Sequence, residues 1–206
     1  YGEEALVLAA AKKLCRPVKW TASRSESFLT DAHGRDHVTK IELACEKDGT
    51  FIAFRTETMA NVGAYLSNFS TVIPTFLHGI LMAGNYTVPN VYVNVKAVFT
   101  NTAPVDAYRG ACRPEAKYSL ERVIDKCARA IGLDPIALRR KNFIKPDQFS
   151  YSSAAGLEYD TGNYDALFDK LEEIADFDGY KSRRVESEKN GKLRGLGINS
   201  YIEACG

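Results

Sequence analysis

Several features are absent from this 206-residue sequence, and each absence excludes a class of protein. No apolar run approaches the roughly 18–20 residues that a membrane-spanning helix requires. No basic and apolar leader of the signal-peptide type opens the sequence. The formal net charge is only +1, which gives no electrostatic argument for nucleic-acid or membrane binding. We therefore expect no transmembrane segment and no nucleic-acid partner.

Cysteine and histidine are sparse and irregularly spaced. The five cysteines are Cys15, Cys45, Cys112, Cys127 and Cys205. They contain no Cys-x-x-Cys pair, so neither a zinc ribbon nor an iron–sulfur site is indicated, and their odd number favours a reducing, cytoplasmic compartment. His33 and His37 fall in a segment typical of a surface turn, and His78 stands alone among apolar residues. The sequence thus predicts no metal ligand in this chain.

The residues that are present predict an α+β fold with mixed sheets and packed helices. Helices are predicted over residues 2–15, 114–131, 136–142, 164–175 and 180–189, with a short helix after Pro74. Strands are predicted over 18–22, 38–45, 51–58, 91–99 and 193–202. Asp48-Gly49 predicts a hairpin turn, since glycine supplies the positive φ that such a turn requires. Odd-numbered residues of 91–99 are predicted to point inward, and Tyr118 is assigned to the apolar stripe of its helix.

The segment richest in chemistry is 106–115, which follows a predicted strand and opens a predicted helix. Backbone N–H groups and guanidinium groups in such a turn can bind an anionic or oxygen-rich ligand. Gly110 and Ala111 leave room for a ligand to approach the backbone. Pro114 suits the first turn of the following helix, and Glu115 suits its positive end. On residue chemistry alone, a strand-to-helix turn capped by charges explains the pattern equally well.

The run Ala-Tyr-Arg-Gly-Ala-Cys-Arg-Pro-Glu over 107–115 resembles the active-site loop of the molybdenum hydroxylases. This family includes xanthine dehydrogenases, aldehyde oxidases and the large subunit of aerobic carbon monoxide dehydrogenases. Other runs resemble the family's molybdopterin-binding region in the same order: Glu3–Ala10, Arg16–Trp20, Ser23–Phe28, Asn61–Tyr65, Val98–Thr102 and Gly195–Gly206. The resemblance covers nearly the whole chain.

The resemblance implies a fold, an activity and a set of cofactors. The chain would be a fragment comprising the first half of the molybdopterin-binding domain. Residues 1–145 would form the core of its first subdomain, and 146–206 a loop, helices and the start of the next. The enzyme would oxidise a small carbon substrate (an aldehyde, an N-heterocycle or carbon monoxide) with water as the oxygen source. It would use a molybdenum pyranopterin, expected as the cytosine dinucleotide.

Partner subunits are implied in the same way. Electrons would leave through iron–sulfur clusters and FAD on an iron–sulfur subunit and an FAD subunit. The assembly expected from the resemblance is a dimer of heterotrimers in the cytoplasm.

The resemblance also implies roles for residues of the loop. Ala107, Tyr108, Arg109 and Gly110 would bind the cofactor, and Arg109 would act in catalysis. Ala111 and Cys112 would face the substrate. The glutamate that serves as general base in the family belongs to a region after residue 206, so the isolated fragment is expected to be inactive.

The sequence departs from the patterns of some family members, and these departures narrow the range of expected substrates. The cysteine that binds copper in carbon monoxide dehydrogenases matches Gly110, two residues before Cys112, which argues against copper. Purine-oxidising members have a phenylalanine at Ala111 and an arginine within the segment that matches Pro74–Met82, and this chain has neither. The pattern is most similar to form II carbon-monoxide-dehydrogenase-like proteins. The alternative is a non-catalytic α+β scaffold or assembly module that keeps the fold without the chemistry.

Overall fold

The computed structural model describes residues 2–203 as helices packed on a small mixed sheet, which confirms the predicted α+β fold. The helices are α1 (Gly2–Leu14), α2 (Arg24–Thr30), α3 (His78–Ile80), α4 (Arg113–Ile131), α5 (Pro135–Asn142), α6 (Tyr164–Ala175) and α7 (Tyr180–Lys189). The strands are β1 (His37–Cys45), β2 (Phe51–Gly63), β3 (Asn90–Phe99), β4 (Tyr151–Ser152) and β5 (Glu158–Tyr159). A π-helical turn over Ile73–Leu77 precedes α3, and a 3₁₀ turn covers Pro146–Gln148. No helix among these residues is long and apolar enough to cross a membrane.

The sheet has the order β1-β2-β3, with β1 antiparallel to β2 and β2 parallel to β3. The β1–β2 hairpin turns at Gly49, whose φ is +89°. A Cβ at Gly49 would lie 2.8 Å from side-chain atoms of both Leu133 and Leu138, so the turn packs directly on the segment around α5. Strand β2 continues to Gly63, beyond the predicted end at Thr58, because its last residues still pair with β3.

The apolar core lies between the sheet and helices α4–α6. Its members, all nearly inaccessible, include Phe51, Phe54, Tyr86, Val88, Leu120, Ile124, Leu138, Phe143 and Phe168. A buried ion pair joins α4 to α5, with Arg139 Nε 2.8 Å from Glu121 Oε2. The Tyr86 hydroxyl donates to the other oxygen of Glu121 at 2.6 Å. Because a buried carboxylate needs such partners, α4 is held firmly against the core, and the loop before it therefore has a fixed endpoint.

Several predicted details are wrong. Residues 18–22 and 193–202 form no strand, since a strand requires a ladder partner and none of the described residues pairs with them. Tyr118 lies on the exposed face of α4, and the buried face is built from residues such as Leu120 and Ile124. Ala97 and Phe99 are exposed and Val98 between them is half-buried, so the predicted inward alternation of β3 fails over its last residues, where the ladder with β2 ends.

Candidate functional site

The loop before α4 starts from a fixed point, an isolated β-bridge. His33 and Val105 form an isolated bridge, and the Asp106 N–H donates to the His33 carbonyl at 2.9 Å. The Asp106 carboxylate accepts hydrogen bonds from the Ser67 hydroxyl and from the Phe69 N–H. These contacts join the loop to two distant segments, so its entry point is as well defined as its exit into α4.

The turn itself depends on three consecutive residues with positive φ. The values are +88° at Gly110, +41° at Ala111 and +68° at Cys112. The Ala111 N–H donates to the Tyr108 carbonyl at 2.8 Å, and the Arg113 N–H donates to the Gly110 carbonyl at 2.9 Å. Non-glycine residues in this region cost on the order of 1 kcal/mol each and persist only where the surroundings hold them, often at functional sites.

Gly110 is required at its position. A Cβ there would lie 2.8 Å from Cδ of Pro114, and its φ of +88° favours glycine in any case. Glycine is needed here because the turn packs closely on Pro114, and the prediction that Gly110 and Ala111 leave room for a ligand stays a prediction.

The tip of the loop is open to solvent. Ala107, Tyr108 and Arg109 are exposed. Within residues 2–203, no protein acceptor receives the N–H groups of Tyr108, Arg109 or Gly110. Unpaired N–H groups beside an exposed guanidinium form a donor-rich surface, which can bind a ligand bearing several oxygens.

Arg35 supports the tip from behind, a role that no sequence pattern predicts. Its Nη2 donates to the Arg109 carbonyl, and its Cζ lies 4.8 Å from the centre of the Tyr108 ring. Its Nε is 3.8 Å from Glu115 Oε2. A Cβ on Gly34 would meet Cβ of Tyr108 at 2.6 Å, so this turn packs closely on the loop. The Gly-Arg pair was the available signal, but it resembles any surface turn.

Cys112 faces the protein interior. It is buried, and its Sγ, a ring nitrogen of His37 and a carboxylate oxygen of Glu115 all lie within 4.8 Å of one another. Burial first, and then the charge of Glu115, raises the pKa of the Cys112 thiol to about 12. The thiol is therefore protonated and unreactive at neutral pH unless a cation lies beside it.

A cleft of about 680 Å³ lies beside the start of the loop. Asp106 and Ala107 form part of its wall, together with residues of α2 and of the segment after β2. This volume falls within the range of small-molecule sites. Of the predicted group Ala107–Gly110, Ala107 lines this cleft, Tyr108 and Arg109 are exposed at the loop tip, and Gly110 is half-buried. The predicted substrate-facing role of Ala111 and Cys112 stays a prediction.

The chain is similar to a described family and to several known proteins. A family described as "Molybdopterin cofactor-binding domain" matches residues 1–143. The carbon monoxide dehydrogenase large chain of Hydrogenophaga pseudoflava is 34% identical over 205 residues, covering 97% of this chain and 25% of that protein. The nicotine 6-hydroxylase large subunit of Paenarthrobacter nicotinovorans is 29% identical over 208 residues, covering 100% and 25%.

A solved structure shows the same architecture. Quinoline 2-oxidoreductase from Pseudomonas putida 86 superposes with a TM-score of 0.89 at 32% identity, covering 97% of this chain and 25% of that chain. The chain thus spans about a quarter of the length of the relatives it matches.

Proposed function

This chain belongs to the molybdopterin cofactor-binding domain family, and from that premise we propose that it forms part of the large subunit of a molybdenum-dependent hydroxylase. The substrate is a small carbon compound, in the class of aldehydes, N-heterocycles or carbon monoxide, and water supplies the oxygen. The observation that carries this proposal is the exposed loop tip, with unpaired N–H groups beside the Arg109 guanidinium.

The residues of the loop fit a molybdenum pyranopterin. Ala107, Tyr108, Arg109 and Gly110 would hold it, because the N–H groups of Tyr108, Arg109 and Gly110 and the Arg109 guanidinium offer donors to its oxygens. The Ala107 N–H donates to Asp106 Oδ1 at 2.6 Å, so Ala107 would contribute only its exposed surface. The cytosine dinucleotide form is part of the proposal. When bound, the cofactor supplies the redox chemistry, and the protein supplies binding, orientation and electrostatics.

The protein's own contribution is preorganisation. Arg35 fixes the Arg109 carbonyl, so the direction of the Arg109 backbone is set before any ligand arrives. Asp106 fixes the start of the loop through Ser67 and Phe69. A donor that is already in place costs no reorganisation when charge develops on the substrate, and the proposal gives this role to Arg109. Ala111 and Cys112 are proposed to border the substrate side.

The proposed assembly contains an iron–sulfur subunit and an FAD subunit, arranged as a dimer of heterotrimers. Two relatives are named as a large chain and a large subunit, which supports partner subunits. A cytoplasmic location is proposed from the thiols: Cys15, Cys45, Cys112 and Cys127 are free, and Cys45 Sγ lies 3.3 Å from Cys127 Sγ without a bond. The division into 1–145 and 146–206 is likewise a proposal.

Two glycine variants test the proposed function in the full-length subunit with its partners. Gly110→Ala forces a Cβ against Pro114 at a φ of +88°, whereas Gly132→Ala imposes a similar φ, +75°, at the end of α4 with no atom within 4 Å. Both substitutions carry similar backbone strain, but only the first deforms the loop tip. We expect Gly110→Ala to lower molybdenum content and turnover at least about tenfold, as for a lost preorganised donor. Gly132→Ala should leave both values within about twofold of wild type.

Metal analysis and steady-state turnover are measured on the same samples, and circular dichroism confirms that both variants are folded. Gly110→Ala with wild-type molybdenum content and turnover would contradict the proposed site. A wild-type complex that is folded and assembled but takes up no molybdenum would favour the scaffold alternative.

A further inference from the structure

Three potential metal ligands meet beneath the loop. His37 lies on β1, Cys112 precedes α4, and Glu115 lies in the first turn of α4. One ligand atom from each side chain lies within 4.8 Å of the other two. Because His37 is separated from Cys112 by 75 positions, only the folded chain brings them together.

The orientation of His37 leaves one nitrogen available. Its Nε2 lies 3.1 Å from the Pro74 carbonyl oxygen, which can only accept a hydrogen, so Nε2 carries the proton. Nδ1 then has a free lone pair, and it is buried without a hydrogen-bond partner. A histidine that donates one N–H to a backbone carbonyl and keeps its other nitrogen bare is typical of a metal ligand.

Glu115 presents a second buried ligand atom. Its Oε2 is inaccessible, and the Arg35 Nε lies 3.8 Å away, beyond hydrogen-bond distance. The Glu115 carboxylate is hydrogen-bonded to the Cys112 thiol. Buried polar atoms in native proteins are normally satisfied, so the bare His37 Nδ1 beside this thiol and carboxylate needs an explanation. A cation among the three groups would satisfy Nδ1, and it would take the place of the thiol proton.

We propose that His37 Nδ1, Cys112 Sγ and a Glu115 carboxylate oxygen bind one zinc ion, with the fourth position taken by water. Zinc accepts imidazole, thiolate and carboxylate together, and one thiolate with one carboxylate neutralises its charge. Tetrahedral zinc needs ligand atoms about 3.5 Å apart, so the side chains must close by about 1 Å. Copper(I) is a poorer match, because soft metals disfavour a carboxylate ligand.

The position of the ion gives it a role. It would connect β1 to the first turn of α4, directly below the three residues of the loop that have positive φ. The free energy of zinc binding would then stabilise the conformation of that turn. A surface depression bordered by Arg35, His37, Pro114 and Glu115 provides an entry path for the ion.

The test measures zinc in the full-length complex after treatment with a chelator and dialysis against zinc alone. We expect about one zinc per large subunit, at least a tenfold loss of occupancy in Cys112→Ser and His37→Gln, and no loss in two control variants. The controls are His33→Gln, at an exposed histidine, and Cys127→Ser, at a thiol outside the cluster. X-ray absorption at the zinc edge of the wild-type complex should show one sulfur at about 2.3 Å with nitrogen and oxygen ligands.

The X-ray absorption spectrum of the wild-type complex tests the proposal even if a variant does not fold. No zinc uptake, a first shell without sulfur, copper in place of zinc, or zinc retained in folded Cys112→Ser would each overturn it. Molybdenum is measured in the same samples and reports on the proposed function separately. Zinc with the expected ligands in a complex without molybdenum would support this site while contradicting that function.

Discussion

Arg109 combines an exposed side chain with a restrained backbone. Its guanidinium is open to solvent, while Arg35 holds its carbonyl oxygen from the opposite side. On binding a ligand, an isolated surface arginine loses both side-chain rotamer entropy and backbone entropy. The contact with Arg35 already restrains the Arg109 backbone, so most of the backbone contribution is removed here. The residue is therefore suited to recognise a fixed arrangement of oxygens.

We predict that Arg109→Lys in the full-length complex lowers turnover by about 10²-fold, because lysine keeps the charge but loses the planar donor fork. Molybdenum content should stay near wild type, since the backbone donors of the tip remain. Steady-state kinetics and metal analysis on the same preparation give both values. Arg122→Lys, on the exposed side of α4, is the matched control and should leave turnover unchanged. A metal-replete Arg109→Lys enzyme with wild-type turnover would remove Arg109 from the catalytic role.

At this scale, the sequence points to residues that are adjacent in the chain and gives no signal for those brought together by folding. The prediction for Arg109 and Gly110 rests on one short motif and its resemblance to a family. Arg35 supports them from 74 positions earlier, and His37 meets Cys112 in the same way. No local pattern records such contacts, since they depend on how β1 packs against α4.

Among the secondary structure elements, α4 has an unusual interior. Lys117 is almost fully buried and donates to the Leu81 carbonyl at 3.2 Å. Burial lowers its pKa to about 8 from an ordinary value of 10.5, and the nearby Glu121 only partly offsets this. A buried ammonium group is expensive unless fully paired, so this helix carries a cost at neutral pH.

The cost of burying the Lys117 charge predicts that its replacement stabilises the protein by an amount that depends on pH. Lys117→Met should raise stability at pH 7 by roughly 1–3 kcal/mol, since methionine fills a similar volume without a charge. Between pH 8 and about 10.5 the folded lysine is already neutral while the unfolded one still binds its proton, so the wild-type protein recovers stability as pH rises. The difference should therefore shrink over that range.

Native-state hydrogen exchange of α4 in the full-length subunit, compared between pH 7 and pH 9.5, measures this difference. Arg122→Met, on the exposed side of the same helix, is the control and should show no such pH dependence. Two results would show that the lysine is well paired. The Lys117→Met variant would be less stable than wild type at pH 7, or its stability would differ from that of wild type by the same amount at both pH values.

Elements defined by a local signal were predictable, and those defined by a partner were not. Asp48-Gly49 fixed the β1–β2 hairpin, and Asp134 with Pro135 fixed the start of α5, where the Asp134 carboxylate caps two N–H groups. Residues 18–22 and 193–202 have strand-like composition, yet a strand exists only where another lies beside it. Composition cannot supply that information, and it also could not show how far β2 extends along β3.

On the scale of the whole molecule, several large apolar side chains of α1 and α2 are exposed to solvent. Phe28 and Leu29 of α2 are 76% and 77% exposed, and Leu6 and Leu8 of α1 are similarly open. Large exposed apolar patches mark surfaces that normally contact other protein. The chain spans about a quarter of its relatives, so further parts of such a subunit are available to cover this face.

We predict that residues 1–206 produced alone bind no molybdenum, show no turnover and self-associate at micromolar concentration through α1 and α2. Light scattering coupled to size exclusion, with binding of an apolar dye, measures the association. Phe28→Ser combined with Leu29→Ser should reduce both signals severalfold, because it removes both apolar side chains of α2. Leu193→Ser is the matched control: this leucine is 97% exposed but lies away from α2 in the chain, and its replacement should change neither signal. A monodisperse monomer that binds little dye would show that the exposed residues of α1 and α2 tolerate water without a partner.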